Sequence, residues 1–356
     1  MSGFAECAAE LTRAAIGHRL FPGSTVGWLV AGRAEVRAFG RFTYEPAATA
    51  VVPGTVYDVA SLTKSVPTAL LVMQELEAGR LSLHTRVVEY VPELGSRYRD
   101  QITIRHLLTY TVIFDQPHGL SGLVALYGQD FLDQALAGEL TDPPGRRYFY
   151  TNPPALILGL VLERSLGKGL AALAQERLFG PLGLHDTGYD TAALGLDRIP
   201  PSEVADGQVI AGIVHDESAR AMAKMGRTAG HAGVFSTAGD LLTVADMLIH
   251  GGRLRDTTFL SPETVARMAE NQIVALGEHT GLGWEINRPD VMGTAARGHV
   301  LIKSGHTGCL LVVDLAHKAA LVMLSNRTYP QRGDREDLRA YWRSMNEAFW
   351  QGLKSS

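Results

Sequence analysis

The chain is poor in the features that most readily assign a protein. It has two cysteines in 356 residues, Cys7 and Cys309, too few and too far apart for a disulfide framework. Basic residues form no long run: 33 Lys and Arg stand against 37 Asp and Glu, for a formal charge of −4 and a pI near 6.3. That leaves little for a phosphate backbone to hold and argues against a nucleic-acid partner. No window reaches the roughly 18 apolar residues of a membrane span. The first residues, MSGFAECAAELTRAAIGHRLFPG, carry Glu6 and Glu10 but neither a basic leader nor an unbroken apolar run. They read as an amphipathic first helix, not a signal peptide, so the expected location is cytoplasmic and no membrane partner is expected. No internal repeat, low-complexity linker or G-x-S-x-G is present, and the last absence argues against an α/β-hydrolase.

What is present is ordinary soluble composition, 46% hydrophobic and 20% charged, on a chain long enough for a large core. STVGWLVAGRAEVRAFGRF (24–42) alternates and is β-rich around a turn at Ala31-Gly32-Arg33, which predicts a hairpin. From Ser61 to about residue 235 apolar residues recur at helical spacing with glycine stops. Two further helices follow, one expected to be capped by Asp240 and one by Ser261 with Pro262 behind it. GLGWEIN, HVLIKSG, CLLVVDL and AALVMLSN then read as strands with short connections, before a final helix from about Asp334. The expected fold class is α+β. An antiparallel sheet is formed from N- and C-terminal strands flanked by helices (1–60 plus 235–356), a mainly helical subdomain (61–234) is inserted, and the active site lies at the junction.

The chemistry begins at YDVASLTKSVPTALLVMQELEAG, residues 57–79, where Ser61 and Lys64 stand three apart at the start of an apolar helix. A serine hydroxyl needs an adjacent base to become a nucleophile. Residues i and i+3 share a helix face, so the Lys64 amine can reach the Ser61 hydroxyl. Burial by the apolar run from Val66 to Met73 would lower the lysine pKa enough for it to act as that base. The helix N-terminus would favour a developing oxyanion at Ser61. Taken alone, the pair reads equally well as a helix cap and a solvated first-turn lysine. Two other stretches change that balance. PPGRRYFYTNPPALILGLVLE (143–163) places Tyr150 and Asn152 two apart before an apolar helix, and IKSGHTGCLLVVDL (302–315) places His306-Thr307-Gly308 at the start of a strand.

With these three motifs in order, the chain resembles the serine β-lactamase and penicillin-binding-protein-like superfamily, for which S-x-x-K and K-T-G are recurring motifs. Its Y-x-N resembles the class C β-lactamase and family VIII carboxylesterase branch. YDVASLTK, LSLHTRVVEYVPEL, ITIRHLLTYT, PPGRRYFYTN, PLGLHDTGY, AGHAGVFSTAGDL, GLGW and LSNR follow the family's order, so the resemblance covers nearly the whole chain.

The resemblance implies a role for each residue. Ser61 attacks a carbonyl to form an acyl-enzyme, and Lys64 takes or shares its proton. Tyr150, its pKa lowered by Lys64, relays protons to the leaving group and then activates water or an alcohol. Asn152 orients Lys64 and the acyl group. His306, Thr307 and Gly308 border the substrate, and the backbone N–H groups of Ser61 and Cys309 form the oxyanion hole. No metal or cofactor is implied. His215-Asp216-Glu217 and His185-Asp186 lack zinc spacing and read as solvated polar loops, and the Gly-rich GHAGVFSTAGD reads as a structural loop beside the site.

Departures shape the expected function. His306 stands where K-T-G has lysine, which weakens the fixed cation for a substrate carboxylate and with it β-lactam turnover. Tyr110, Val112 and Ile113 replace the more usual His and Ser-Gly, and the stretch after Gly308 is short and apolar; both point to an apolar or bulky substrate. The expectation is a serine hydrolase acting on a small-molecule ester, with amides and weak β-lactam hydrolysis as secondary activities. A biosynthetic acyltransferase or peptide-processing enzyme on the same fold is the alternative within enzymes. A catalytically silent scaffold is the alternative outside them.

Overall fold

The computed structural model describes residues 1–115 and 129–354. The chain opens with helix α1 (Ser2–Gly17), then a hairpin of β1 (Gly23–Val30) and β2 (Arg33–Gly40). The turn is the expected one: Ala31 and Gly32 both have positive φ, 49° and 71°, the pairing that matches the twist of a two-residue hairpin. Helices α2 (Leu70–Glu77), α3 (Pro153–Leu166), α4 (Glu217–Lys224) and α5 (Ala238–Ile249) follow. The sheet then resumes with β3 (Val300–Gly305), β4 (Cys309–Asp314) and β5 (Ala319–Ser325), and α6 (Glu336–Lys354) ends the described chain.

The five strands lie in the order β2-β1-β5-β4-β3, antiparallel throughout, with Trp28 opposite Leu321 and Val312 opposite Ile302. This is the α+β architecture expected, with a sheet built from both chain ends. Helices cover both faces, which is why β4 and β5 are buried at every position instead of alternating. On one face Phe4 of α1 stands edge-on to Trp28 and to Phe349 of α6, at 5.1 and 5.0 Å. On the other, α5 lies close over Gly27, where an added Cβ would meet Leu242 at 3.0 Å. The core on that side continues through Leu301, Leu311 and Val322 into the helices between residues 61 and 234. Each fully buried Leu or Val contributes about 1.5–3 kcal/mol.

Two local expectations are corrected. GLGWEIN is not a strand: only Glu285 forms an isolated bridge, to Ile302. Helix α5 is capped by Thr237, whose hydroxyl accepts from the Asp240 N–H at 3.2 Å, so Asp240 lies inside the first turn. Ser261 caps the helix that starts at Pro262, as expected.

The Gly-rich segment is pinned to the segment carrying the S-x-x-K motif. Thr68 donates to the Gly230 carbonyl at 2.7 Å, and Val59 N–H to Val234 at 3.0 Å. Gly230 presses on α3, where a Cβ would lie 2.2 Å from the Ala155 carbonyl and 3.1 Å from the Gly159 backbone. Backbone cannot yield as a flexible side chain can, so Gly230→Ala is expected to destabilise the fold by about 1–3 kcal/mol. Denaturant unfolding measures this, and an unchanged midpoint would contradict the packing described.

Candidate active site

A two-residue strand, Tyr57–Asp58, pairs with Phe235–Ser236 and delivers the chain into a 3-10 turn, Ala60–Lys64. The apolar helix expected to start at Ser61 begins later, at Leu70. Val66, at φ −122° and ψ 104°, breaks the helix before Pro67. The 3-10 turn serves the motif better than an α-helix, because three residues per turn stack i directly over i+3. Lys64 Nζ lies 2.7 Å from Ser61 Oγ and donates to the His231 carbonyl at 3.1 Å. Ala60, at φ 47°, holds a backbone conformation costly for a non-glycine residue, and Asp58 anchors it by accepting the Ala60 N–H at 2.8 Å.

Lys64 is 2% exposed. Burial, and then the like charge of Lys303, bring its pKa down to about 7, against weaker opposing pulls from Asp216 and Glu285. A lysine poised there is a free amine for much of the neutral range, and the 2.7 Å contact can run in reverse, with Ser61 giving its proton to nitrogen.

Tyr150 leaves the Pro-rich loop just before α3 and faces the same pair. Its hydroxyl is buried beside Ser61 but lacks a partner of good hydrogen-bond geometry, and its ring centroid lies 5.3 Å from Lys64 Nζ. The expected lowering of its pKa is not found. Burial, and then the Glu285 carboxylate, push it well up, and the Ser61 hydroxyl only partly counters them. Tyr150 therefore rests as a neutral phenol that can give a proton. Asn152 occupies the N-cap position of α3 without capping it; its amide donates to Asp216 Oδ2 at 3.2 Å. Among the described residues Lys64 hydrogen-bonds to Ser61 and to the His231 carbonyl, and Asn152 makes no hydrogen bond to it.

Ser61, Tyr150 and Asn152 line a pocket of about 220 Å³ with Asp216, Glu217, Ser304, His306, Arg332 and Arg335. A second hollow of about 370 Å³ shares Tyr150, Ser304 and Arg335 as walls. A wider cavity of about 820 Å³ between α1 and the segment around Tyr329 holds none of the predicted site residues. None of the departures expected to favour an apolar or bulky substrate lines the pocket beside Ser61. Val112 is buried in the core, and the lining is polar.

His306 stacks on His215 at 5.6 Å, and burial, followed by the nearby Arg335, drops its pKa to about 3, so the ring is neutral. Thr307 and Gly308 do not face the pocket. Thr307 donates to the Asp58 carbonyl at 2.7 Å, tying the β3–β4 turn to the segment before Ser61. Gly308, at φ 100°, leaves room for Ser325 Oγ, which a Cβ would approach to 2.2 Å. Cys309 opens β4 directly after this turn. Its thiol points into the core, where burial raises its pKa to about 12, so only its backbone remains available.

Residues 9–344 match the family model described as Beta-lactamase. The chain belongs to the beta-lactamase family. It is 28% identical over 312 residues to the "Putative D-alanyl-D-alanine carboxypeptidase" of Escherichia coli (strain K12), which covers 79% of this chain and 71% of that protein. The protein of the same name in Salmonella typhimurium (strain LT2) is 26% identical over 311 residues, covering 77% and 70%. Among solved structures the fold is similar to EstCE1, "a hydrolase with promiscuous acyltransferase activity" (TM-score 0.78, 21% identity, 98% and 99% coverage). It is also similar to the LovD6 mutant of simvastatin synthase from Aspergillus terreus (0.77, 21%, 100% and 99%) and to a class C beta lactamase (0.76, 19%, 98% and 98%).

Within this family frame, the structure adds site residues that sequence reasoning missed. His215, Asp216 and Glu217 are not solvated loop residues but pocket walls. Asp216 caps α4 and accepts from the His231 ring at 3.1 Å, and these contacts overrule burial and hold it well below the usual carboxylate range. Asp216 precedes a short helical run, a capping signal readable in sequence. His185-Asp186 is structural, with Asp186 paired to Arg198 at 2.6 Å. Among the described residues no His, Cys, Asp and Glu cluster could hold a metal, and no helix is long and apolar enough to cross a membrane.

Because Lys64 must be unprotonated to take the Ser61 proton, labelling of Ser61 by a fluorophosphonate is expected to rise about tenfold per pH unit up to about 7. Lys64→Met is expected to cost about 10²–10⁴-fold. Time courses of labelling across pH 5–9 check both.

Proposed function

We propose that the protein is a serine hydrolase that forms an acyl-enzyme at Ser61 and cleaves carboxylic esters. The observation that carries this reading is the buried lysine 2.7 Å from the serine hydroxyl, with its pKa brought to about 7. In acylation, Ser61 Oγ passes its proton to Lys64 and bonds to the carbonyl carbon. The tetrahedral adduct then collapses, breaking the bond to the alcohol, which leaves with a proton from Tyr150. The Ser61 and Cys309 backbone N–H groups serve as the oxyanion donors. Lys64 returns the proton to Tyr150; water then gives a proton to Lys64 as it bonds to the acyl carbon, and that proton passes to Ser61 Oγ as the acyl bond to serine breaks and the acid leaves. An ester is favoured over a β-lactam because the neutral His306 does not supply the cation that a lysine at that position would hold toward a β-lactam carboxylate. An alcohol in place of water would make the same acyl-enzyme a transferase, and the printed descriptions of EstCE1 and simvastatin synthase keep that acceptor in view.

A second reading has its own support. Arg335 borders the pocket with its Nε buried and no hydrogen-bond partner among the described residues. A peptide ending in a carboxylate would satisfy it, in keeping with the carboxypeptidase name of the curated relatives.

Intact-protein mass spectrometry after exposure to p-nitrophenyl butyrate, a penicillin and a peptide ending in D-Ala-D-Ala separates these, with Ser61→Ala as control. The expected result is a Ser61-dependent butyryl adduct with ester turnover and little penicillin turnover. Cleavage of the peptide in preference to the ester would move the assignment to a carboxypeptidase. Absence of any adduct would leave a silent scaffold.

A further inference from the structure

One buried ion near the site is not used by the steps above. Lys303 sits in β3 among apolar residues and is 0% exposed. It is absent from the walls of the Ser61 pocket, so it does not meet substrate there. Its Nζ lies 4.3 Å from the Tyr150 ring centroid and 5.1 Å from that of Tyr110, which packs on Tyr150 at 4.8 Å. Both distances are within the range of a cation–π contact. Its remaining neighbours hold it loosely: Tyr110 Oη at 3.4 Å and Glu285 Oε2 at 3.8 Å, with Glu285 itself engaged by Arg288. Burying an ammonium is costly, and a residue of similar volume without charge would pack this strand at lower cost. A charge kept there against that cost, beneath a tyrosine that must give and recover a proton, points to function.

We propose that Lys303 is a positioning residue of the reaction: a buried cation, seated under the Tyr150 ring by Tyr110 and Glu285, that sets the field in which Lys64 and Tyr150 exchange protons. Two effects follow, with no bond made or broken at Lys303. Its charge repels a second ammonium at Lys64, acting in the same direction as burial and keeping that amine free to accept the Ser61 proton. It also offers the phenolate left on Tyr150, once the leaving group has taken its proton, an opposite charge out of reach of water. The other charges facing the three groups are Asp216 at the head of α4, Glu285 and Arg288 ahead of β3, and Arg335 before α6. Of these, Asp216 and Glu285 act on Lys64 in the opposite sense to Lys303.

This inference rests on the acyl-enzyme reading, and the test keeps the two apart. In Lys303→Met, a near-isostere without charge, the pH limb of Ser61 fluorophosphonate labelling is expected to move up by about one unit, a roughly tenfold loss of rate below pH 7. Lys303→Arg, which keeps the charge, is expected to restore much of the shift. Ester turnover should fall more for ethyl butyrate, whose alkoxide needs a proton, than for p-nitrophenyl butyrate, whose leaving group does not. A residue serving only to pack the strand would leave the limb and the ratio of the two esters unchanged, and that result overturns the proposal. If wild-type protein is not labelled at any pH, the acyl-enzyme reading fails instead. NMR titration of the ¹³Cε signal of Lys64, assigned with Lys64→Met, then still decides the inference: an equal midpoint in wild type and Lys303→Met refutes it, and a higher one in the variant supports it.

Discussion

A lysine held out of water against a serine hydroxyl is the constraint to which the rest of this structure answers. Lys64 can serve as a base only while its ammonium form is disfavoured, so every neighbour must avoid restoring that charge. The two carboxylates that could do so are committed elsewhere: Asp216 accepts from His231, Asn152 and the head of α4, and Glu285 is engaged by Arg288. The direct partners of Lys64 are neutral, the Ser61 hydroxyl and the His231 carbonyl. The Gly-rich loop that carries this carbonyl is in turn fixed by Thr68 and by its close approach to α3.

The same logic reaches the sheet. Strands covered by helices on both faces are expected to be apolar throughout, and β3 follows that rule from Val300 to Ile302 until Lys303, fully buried, and then the half-buried Ser304 interrupt it. The interruption falls where β3 passes the aromatic pair Tyr110 and Tyr150, so the wall of the core and the electrostatics of the site are one feature. The β3–β4 turn then brings His306 to the pocket and is tied by Thr307 to Asp58, which also braces Ala60 beside the nucleophile. The scaffold and the reacting groups thus share fasteners, and few of these fasteners could be loosened without moving Ser61.

The parts legible in the sequence were those written in local spacing. Ser61 with Lys64, Tyr150 with Asn152 and the His306-Thr307-Gly308 turn each declare themselves within a few residues, and apolar runs announced β4 and β5. What stayed hidden depends on partners far along the chain. GLGWEIN has the pattern of a strand, but strands exist by pairing, and only Glu285 finds one. Thr237 and Asp240 are both good caps, and the choice fell to the residue one turn earlier. The weight of Lys303 could not be seen, because the side of β3 on which it lies is defined only once the register with β4 is known. The resting state of Tyr150 was misjudged for a related reason: the cation beside it was readable, but the depth of burial and the carboxylate of Glu285 were not.

The pairing of β1 with β5 joins Ser24 to Ser325, so the central strands of the sheet come from opposite ends of the chain. During synthesis the serine and its lysine emerge some two hundred and forty residues before the strand that carries Lys303. Long-range contacts of this kind close late, after the loop between them has been ordered. The growing chain therefore carries its nucleophile without the walls that arm it, and chemical competence arrives as a property of the finished molecule, not of the segment that holds the motif.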